Sequence, residues 1–472
     1  MNILLINPPN DHRIYSEVPH RVGEEVASLP PLGLLYLEAA LSSLGGHKVT
    51  IIDSPGDSLT YEKIEERIKE EKPDIAGISG HTHNLIDMLK VSALVKAHFP
   101  EAKVWWGGAH ASAFPEASMT FKDVDGVVVG EGEKSFADVV AAHEKGEPLD
   151  KIPGILHRRD GKVVNTGPPR AIEDLDSLPH PRRDVIDYRK YYYVIGHEVT
   201  ATSLVSSRGC PYRCTFCSTP GRSTFRARSA ADVADEMEQC EKLGIREIYF
   251  VDDTFNVDRK RALDLCAEIV KRRIRISWNV RARINLISEE LTDSLIAAGC
   301  TRIQLGVETG TDEGLKALGK GITVEEIRAV FAMLRKKKIT TVAYFMIGSP
   351  HEKSPKDVMK TISFACSLDP DYCLFGVLTP YPGTALYDEG IARGILKKES
   401  WERFVTSPEE GFVPEVWTEF MTGEELYRLV DIAYKKFYFR PGQMMKKLRD
   451  VKSLPDLMRK LRAGVGIICS RG

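Results

Sequence analysis

The sequence predicts an α/β protein with two successive parallel sheets. A doubly wound (flavodoxin or Rossmann-like) sheet is expected over residues 1–145 and a partial (β/α)6 barrel over 196–390, joined by a connector at 146–195 and followed by a helical extension at 391–472. Three observations predict it. Short apolar runs alternate with stretches of helical period, the pattern of parallel strands linked by crossover helices. Proline and polar residues concentrate at 147–154 and 178–183, as at a boundary between domains. The length of 472 residues is room for about three domains of ordinary size.

In the first unit, 3–6, 49–52, 75–78, 104–106 and 126–129 are apolar and bounded by turn residues, as buried strands are. Helical spacing occupies 34–44, 61–71 and 85–98. Ligands of such a sheet sit beyond the strand carboxyl ends, which here carry Ser79, the pair Gly107-Gly108, and Gly130 to Glu133. Paired glycines let a ligand approach the backbone. His81, His83 and His110 are expected as loop histidines rather than metal ligands. In the connector, 154–157 and 162–165 flank an Asp-Gly turn and predict a small hairpin.

The second unit has six strand-like runs, at 203–206, 247–251, 276–280, 302–307, 341–347 and 372–378. Ser229, Thr323 with Glu326, and Ser354 with Pro355 mark helix starts between them. The strand ends, where a barrel keeps its reactive face, carry Asp252 and Asp253, Arg281, Glu308 and Thr309, and Gly348. Beyond 391, Thr422 with Glu425 caps a helix. From Lys435 to Arg462 ten lysines and arginines face only Asp450 and Asp456. That run fits a solvated cap over the barrel bottom, the preferred expectation, or a surface for weak contact with an anionic membrane.

Composition narrows the function. Hydrophobic content of 43%, charged content of 28% and a formal charge of −2 give no pull toward nucleic acid. No run approaches the ~20 apolar residues of a membrane helix, and the amino terminus lacks the features of a signal peptide. Nine cysteines, none before Cys210, do not make a disulfide framework. A reducing cytoplasmic setting is expected.

Cys210, Cys214 and Cys217 stand at C-x3-C-x2-C directly after the first barrel run. A helix would put all three on one face as buried core thiols, but Gly209 and Pro211 argue against a helix. Three thiolates can hold three irons of a four-iron cluster and leave one iron open, whereas four ligands saturate it. With Phe216 just before the last cysteine, the motif resembles the radical S-adenosylmethionine (SAM) superfamily. The resemblance implies a [4Fe-4S] cluster on Cys210, Cys214 and Cys217, with SAM chelated at the open iron. It also implies a one-electron donor such as flavodoxin or ferredoxin, whose electron cleaves SAM to a 5'-deoxyadenosyl radical. It implies Asp252 and Asp253 near the methionine part of SAM, Arg281 on a carboxylate, Glu308 and Thr309 at the ribose, and Gly348 at the adenine. The structural alternatives are helix caps for the two aspartates and a rim ion pair for Arg281. The remaining cysteines are expected as core thiols, with Cys373 singled out because its strand ends at the active face.

The first unit resembles the cobalamin-binding domain placed before many radical SAM barrels. Ser79, Gly107 and Gly108 match the elements that receive the nucleotide tail of cobalamin. The D-x-H-x-x-G signature is absent, since the region reads Asn10-Asp11-His12-Arg13, so His12 is not expected below cobalt. The alternative is a sheet that serves only as a lid or docking surface. The absence of cysteines before Cys210 excludes the second cluster of a methylthiotransferase. The whole resemblance implies methyl transfer to an unactivated carbon or to phosphorus in a small-molecule or lipid-like substrate. Relatives that cyclise rings or join carbons are the alternative within the family. A noncatalytic iron-sulfur or cobalamin binding or redox-sensing module is the alternative outside it.

Overall fold

The computed structural model describes residues 1–14, 27–193, 200–218 and 224–449. The first sheet is built from β1 (Asn2–Asn7), β2 (Lys48–Asp53), β3 (Ile75–Ser79), β4 (Lys103–Gly107), β5 (Gly126–Val128), β6 (Ile155–Arg159) and β7 (Lys162–Asn165). Their spatial order is β2-β1-β3-β4-β5-β6-β7. The first five are parallel, in the order of a flavodoxin-like sheet. Ile3, Leu4, Leu5 and Ile6 of β1 are all buried, because helices cover both faces. Ile64 and Ile68, one turn apart on the helix Tyr61–Glu71, pack with Leu4 and Ile6 on one face. Phe136, Val139 and Val140 of the helix Gly132–Lys145 pack with Leu5 and Trp105 on the other.

The hairpin expected in the connector does not stand apart. β6 pairs antiparallel with β5, and β7 with β6, so the first sheet runs on to Asn165. An isolated hairpin is marginal in water; here Ile155 and Leu156 are buried against the sheet's core.

The second sheet has β8 (Ala201–Leu204), β9 (Glu247–Phe250), β10 (Ser277–Ala282), β11 (Cys300–Glu308), β12 (Thr340–Ile347) and β13 (Tyr372–Val377). They lie in sequence order and all run parallel. Three predicted caps form: Ser229 accepts from the Asp232 amide, and Thr323 and Thr422 make reciprocal boxes with Glu326 and Glu425, whereas Ser354 stands at its helix start without capping it and donates to the Asp357 carboxylate instead. Six strands do not close a barrel, so β13 would present an unpaired edge. The helix Gly423–Tyr438 covers it. Its Tyr434 hydroxyl lies 3.2 Å from both the amide and the carbonyl of Phe375. The Tyr438 hydroxyl does the same for Cys373, at 3.0 and 2.9 Å. Cys373 is therefore a buried thiol near the start of β13, away from the strand's carboxyl end, and not a group at the active face.

The next helix, Pro441–Arg449, reaches the barrel bottom, where Gln443 donates to Asp369 and the Pro370 carbonyl and Lys446 pairs with Asp371. The basic tail from residue 450 onward, with Cys469, lies outside the described residues. Between barrel and tail, Tyr387, Leu396, Trp401 and Phe404 return to pack on the core of the first sheet. No helix among the described residues is long and apolar enough to cross a membrane.

Candidate functional site

The cysteine loop leaves β8 through a turn that Asp252 holds. Its carboxylate accepts from the Ser206 amide at 2.7 Å, the Ser206 hydroxyl at 2.6 Å and the Ser207 hydroxyl at 2.7 Å. Asp253 accepts from the Gly209 amide at 3.2 Å, and Cys210 Sγ lies 3.5 Å from the Thr254 hydroxyl. Farther along, the Thr215 amide donates to the Leu318 carbonyl, and the Thr215 carbonyl accepts from Leu386. Phe216 packs against Leu378, Leu386 and Trp417. The anchors come from three separate stretches, residues 252–254, Leu318 and the segment after β13, and they fix a loop that has no helix among its described residues.

Cys210, Cys214 and Cys217 then line one cavity of about 370 Å3 at the strand carboxyl ends, together with Phe216, Asp253, Arg281 and Glu308. The three thiols do not converge as ligands of a single ion; among the described residues no trio of His, Cys, Asp or Glu does. Thiolates that bind a four-iron cluster must instead reach separate irons. Arg281 Nε donates to the Tyr249 hydroxyl at 2.8 Å, and both Tyr249 and Tyr344 donate to Gln304 Oε1. Burial pushes the Asp253 carboxyl up, reinforced by Asp252 and opposed by the Gly209 amide and Arg281.

Glu308 sits where the register of β11 with β12 slips, at a φ of 70°, a left-handed conformation that is strained outside glycine. Its Oε1 accepts from Lys320 Nζ at 3.0 Å. Lys320, Gln304 and Tyr344 also line the cavity and were not singled out from sequence. For Lys320 there was a signal: it stands between Gly319 and Gly321, both at positive φ, in a loop that a core lysine would not need.

Three expected cofactor contacts lie elsewhere. Asp252 is spent on the turn described above, neither a cap nor part of the cavity wall. Thr309 is fully buried and bonds His351 and Thr361. Gly348 has a φ of 87°, and a Cβ there would stand 2.9 Å from Leu426. Its small size therefore admits the edge-covering helix.

A second cavity, of about 280 Å3, opens at the carboxyl ends of β3, β4 and β5. Ser79, Gly107 and Gly108 line it, with apolar walls from Leu34, Leu37, Trp105 and Phe136. A Cβ on Gly107 would meet no atom within 4 Å, so the glycine leaves that space open. Gly108 has a φ of 85°, and a Cβ there would press to 2.8 Å from the Gly80 carbonyl and the Ser79 hydroxyl. Glu133 Oε2 at the same cavity is buried without a partner among the described residues, and such an acceptor calls for a donor. An apolar slot with one waiting acceptor fits a flat, hydroxyl-bearing nucleotide tail.

The four histidines weighed in the sequence of this unit do not line the cavity. His12 Nδ1 lies 2.7 Å from Asp87, and its Nε2 lies 3.2 Å from Glu410, outside the wall of this cavity. His81 and His83 stack at 4.9 Å. His110 Nδ1 lies 3.1 Å from the Thr82 hydroxyl, and burial pushes its imidazolium down to about 4.

The cysteine loop contributes to both cavities, Arg208 to one and Cys210 to the other. Ser207–Arg208 and Arg226–Ala227 pair as a short antiparallel ribbon that brackets it. Arg208, a wall of the second cavity, donates to Glu133 at 2.5 Å, and Arg226 holds Glu131 through two bonds of 2.9 and 2.8 Å.

Known proteins with this pairing of units agree. Residues 204–365 match the Radical SAM superfamily, and residues 22–140 match the B12 binding domain. An uncharacterized methyltransferase of Pyrococcus horikoshii is 34% identical over 452 residues, covering 95% of each chain. An anaerobic magnesium-protoporphyrin IX monomethyl ester cyclase of Rubrivivax gelatinosus is 28% identical over 78% of this chain and 68% of its own. Among solved structures, the radical SAM methyltransferase TsrM of Kitasatospora setae superposes with a TM-score of 0.68 at 22% identity, over 83% of this chain and 74% of its own, which shows the shared fold. A three-cysteine loop at the strand ends of the second sheet, a glycine-lined cavity at those of the first, and a relative matched along nearly its whole length place this chain in the radical SAM superfamily, among the members that carry an amino-terminal B12-binding domain.

Proposed function

We propose that this radical SAM enzyme transfers a methyl group, with cobalamin, to an unactivated carbon or to phosphorus in a small-molecule or lipid-like substrate. The observation that carries it is the pair of strand-end cavities, one lined by Arg208 and the other by Cys210, two residues apart in one loop. In this assignment Cys210, Cys214 and Cys217 hold three irons, while Asp253, Arg281 and the Glu308–Lys320 pair receive SAM. Arg281 offers a fork suited to a carboxylate, and Glu308 offers acceptors for hydroxyls. Ser79, Gly107 and Gly108 would receive the nucleotide tail, and His12, held by Asp87, would not be a ligand of cobalt.

Bound, the cluster and SAM supply a 5'-deoxyadenosyl radical and cobalamin supplies the methyl group. The chain's own part is to hold both at one interface and, through Phe216, Leu378 and Trp417, to back the cysteine loop with apolar side chains. The electron comes from a low-potential donor such as flavodoxin or ferredoxin in the cytoplasm. A weak membrane-surface contact would use Phe439, Met444 and Met445, which are exposed beside Lys435, Lys436 and Lys446. Vesicle co-sedimentation that falls as salt rises supports that contact, and salt-independent behaviour removes it.

Methyl transfer and cyclisation differ in their by-products. The proposal expects S-adenosylhomocysteine to accumulate alongside 5'-deoxyadenosine when the reconstituted protein turns over. Turnover that yields 5'-deoxyadenosine and product with no S-adenosylhomocysteine would assign the cyclase chemistry instead.

A further inference from the structure

Arg283 follows β10 and reaches the cysteine loop at Tyr212 and Cys214. Its Nε donates to Asn285 Oδ1 at 2.9 Å, and one terminal nitrogen donates to the Lys320 carbonyl. The guanidinium carbon lies 3.7 Å from the ring centroid of Tyr212, a residue inside the loop between Cys210 and Cys214. Two anchors and a stacked ring direct the remaining nitrogen, which lies 3.8 Å from Cys214 Sγ. Cys214 is the buried cysteine of the motif. By contrast, Cys210 is met by the neutral hydroxyl of Thr254.

We infer that Arg283 is a positioning residue that donates to the Cys214 sulfur and raises the reduction potential of the cluster bound there. The inference rests on the radical SAM reading of the motif. Hydrogen bonds to the sulfurs and net local charge set the potential of such clusters. On reduction the cluster gains one electron from the external low-potential donor; no bond is made or broken. A guanidinium remains protonated throughout, so it favours the more negative, reduced state without moving a proton. The stacking on Tyr212 and the bond to the Lys320 carbonyl keep the fork aimed while SAM enters and leaves the same cavity.

The test is a redox titration followed by electron paramagnetic resonance on the reconstituted full chain without substrate. Arg283→Gln, with iron and sulfide contents equal to the parent, is expected to reduce the ratio of reduced to oxidised cluster at a fixed potential by about tenfold, a midpoint lowered by about 59 mV for one electron. Arg283→Lys, which keeps the charge but loses the fork, should move less. A full cluster in Arg283→Gln with the parent's midpoint overturns the inference. Should Arg283→Gln not hold its cluster, Asn285→Ala and Tyr212→Leu, which release the guanidinium from its anchors, are each expected below the parent, and an unmoved midpoint in both overturns it. Because the parent's SAM cleavage is measured separately, such a result leaves the radical SAM reading standing.

Discussion

Gly108 shows how much a single residue commits. Its φ of 85° and the 2.8 Å approach that a Cβ would make to the Gly80 carbonyl leave no room for a side chain. Gly108→Ala is expected to lose roughly 1–2 kcal/mol from the left-handed backbone alone and to weaken cobalamin binding as Ser79 shifts. Equilibrium binding of hydroxocobalamin to the cluster-free protein measures this, and parent affinity would contradict it. This glycine was legible in the sequence because a paired glycine at a strand end has few structural uses. The three cysteines were legible through their spacing. Lys320 was marked only by its flanking glycines, because its role depends on a loop that returns to Glu308 from twelve residues away. Asp252, Thr309 and Gly348 do not line the cavity, for a shared physical reason: a polar residue or glycine at a strand end can serve the neighbouring turn or helix as readily as a ligand, and only packing decides.

At the scale of elements, every strand predicted in the two sheets is present, and the helices Tyr61–Glu71 and Leu85–His98 have the predicted bounds. Periodicity carries that much because each element buries a face. Pairing carries no such signal, which is why the hairpin of β6 and β7 was placed in the connector rather than on the edge of β5. The other edge device was equally hidden. Tyr434 and Tyr438 stand one helical turn apart and meet Phe375 and Cys373, two residues apart on β13, so two hydroxyls replace the hydrogen bonds of a missing strand. Replacing both by phenylalanine is expected to cost roughly 1–3 kcal/mol for each position, the range for a buried backbone group left unpaired. Denaturant unfolding measures the loss, and faster amide exchange confined to β13 would locate it. Parent stability in the double variant would show the edge to be held by apolar packing alone.

At the scale of the whole molecule, the two units are held together by buried charge. Glu236, on the first barrel helix, accepts from Arg183 of the connector at 2.6 Å and from Arg228. Arg228 also reaches the Tyr36 hydroxyl of the first unit at 3.4 Å. Burial alone would raise the Glu236 carboxyl, but Arg183 and Arg228 outweigh it and hold it below the ordinary carboxylate range. Its contribution is therefore complete above the unfolded carboxyl's range and is lost as pH falls through the lower folded value. Glu236→Gln, which leaves two guanidiniums buried without a countercharge, is expected to destabilise by about 3–5 kcal/mol and to flatten the acid limb of stability against pH. An unchanged acid limb in thermal unfolding would assign that limb to other groups.

The same junction carries Arg208, a wall of the first unit's cavity, two residues before Cys210, and the central claim is that the cysteine loop there performs SAM cleavage. The direct measurement is 5'-deoxyadenosine released by the anaerobically reconstituted full chain given SAM and a one-electron reductant. The parent is expected to release it; Cys210→Ala, Cys214→Ala and Cys217→Ala should each abolish it, and Cys240→Ala, at a buried core thiol, should not. Release at the parent rate from the Cys214→Ala protein, or none from the parent with a full complement of iron, would contradict the account.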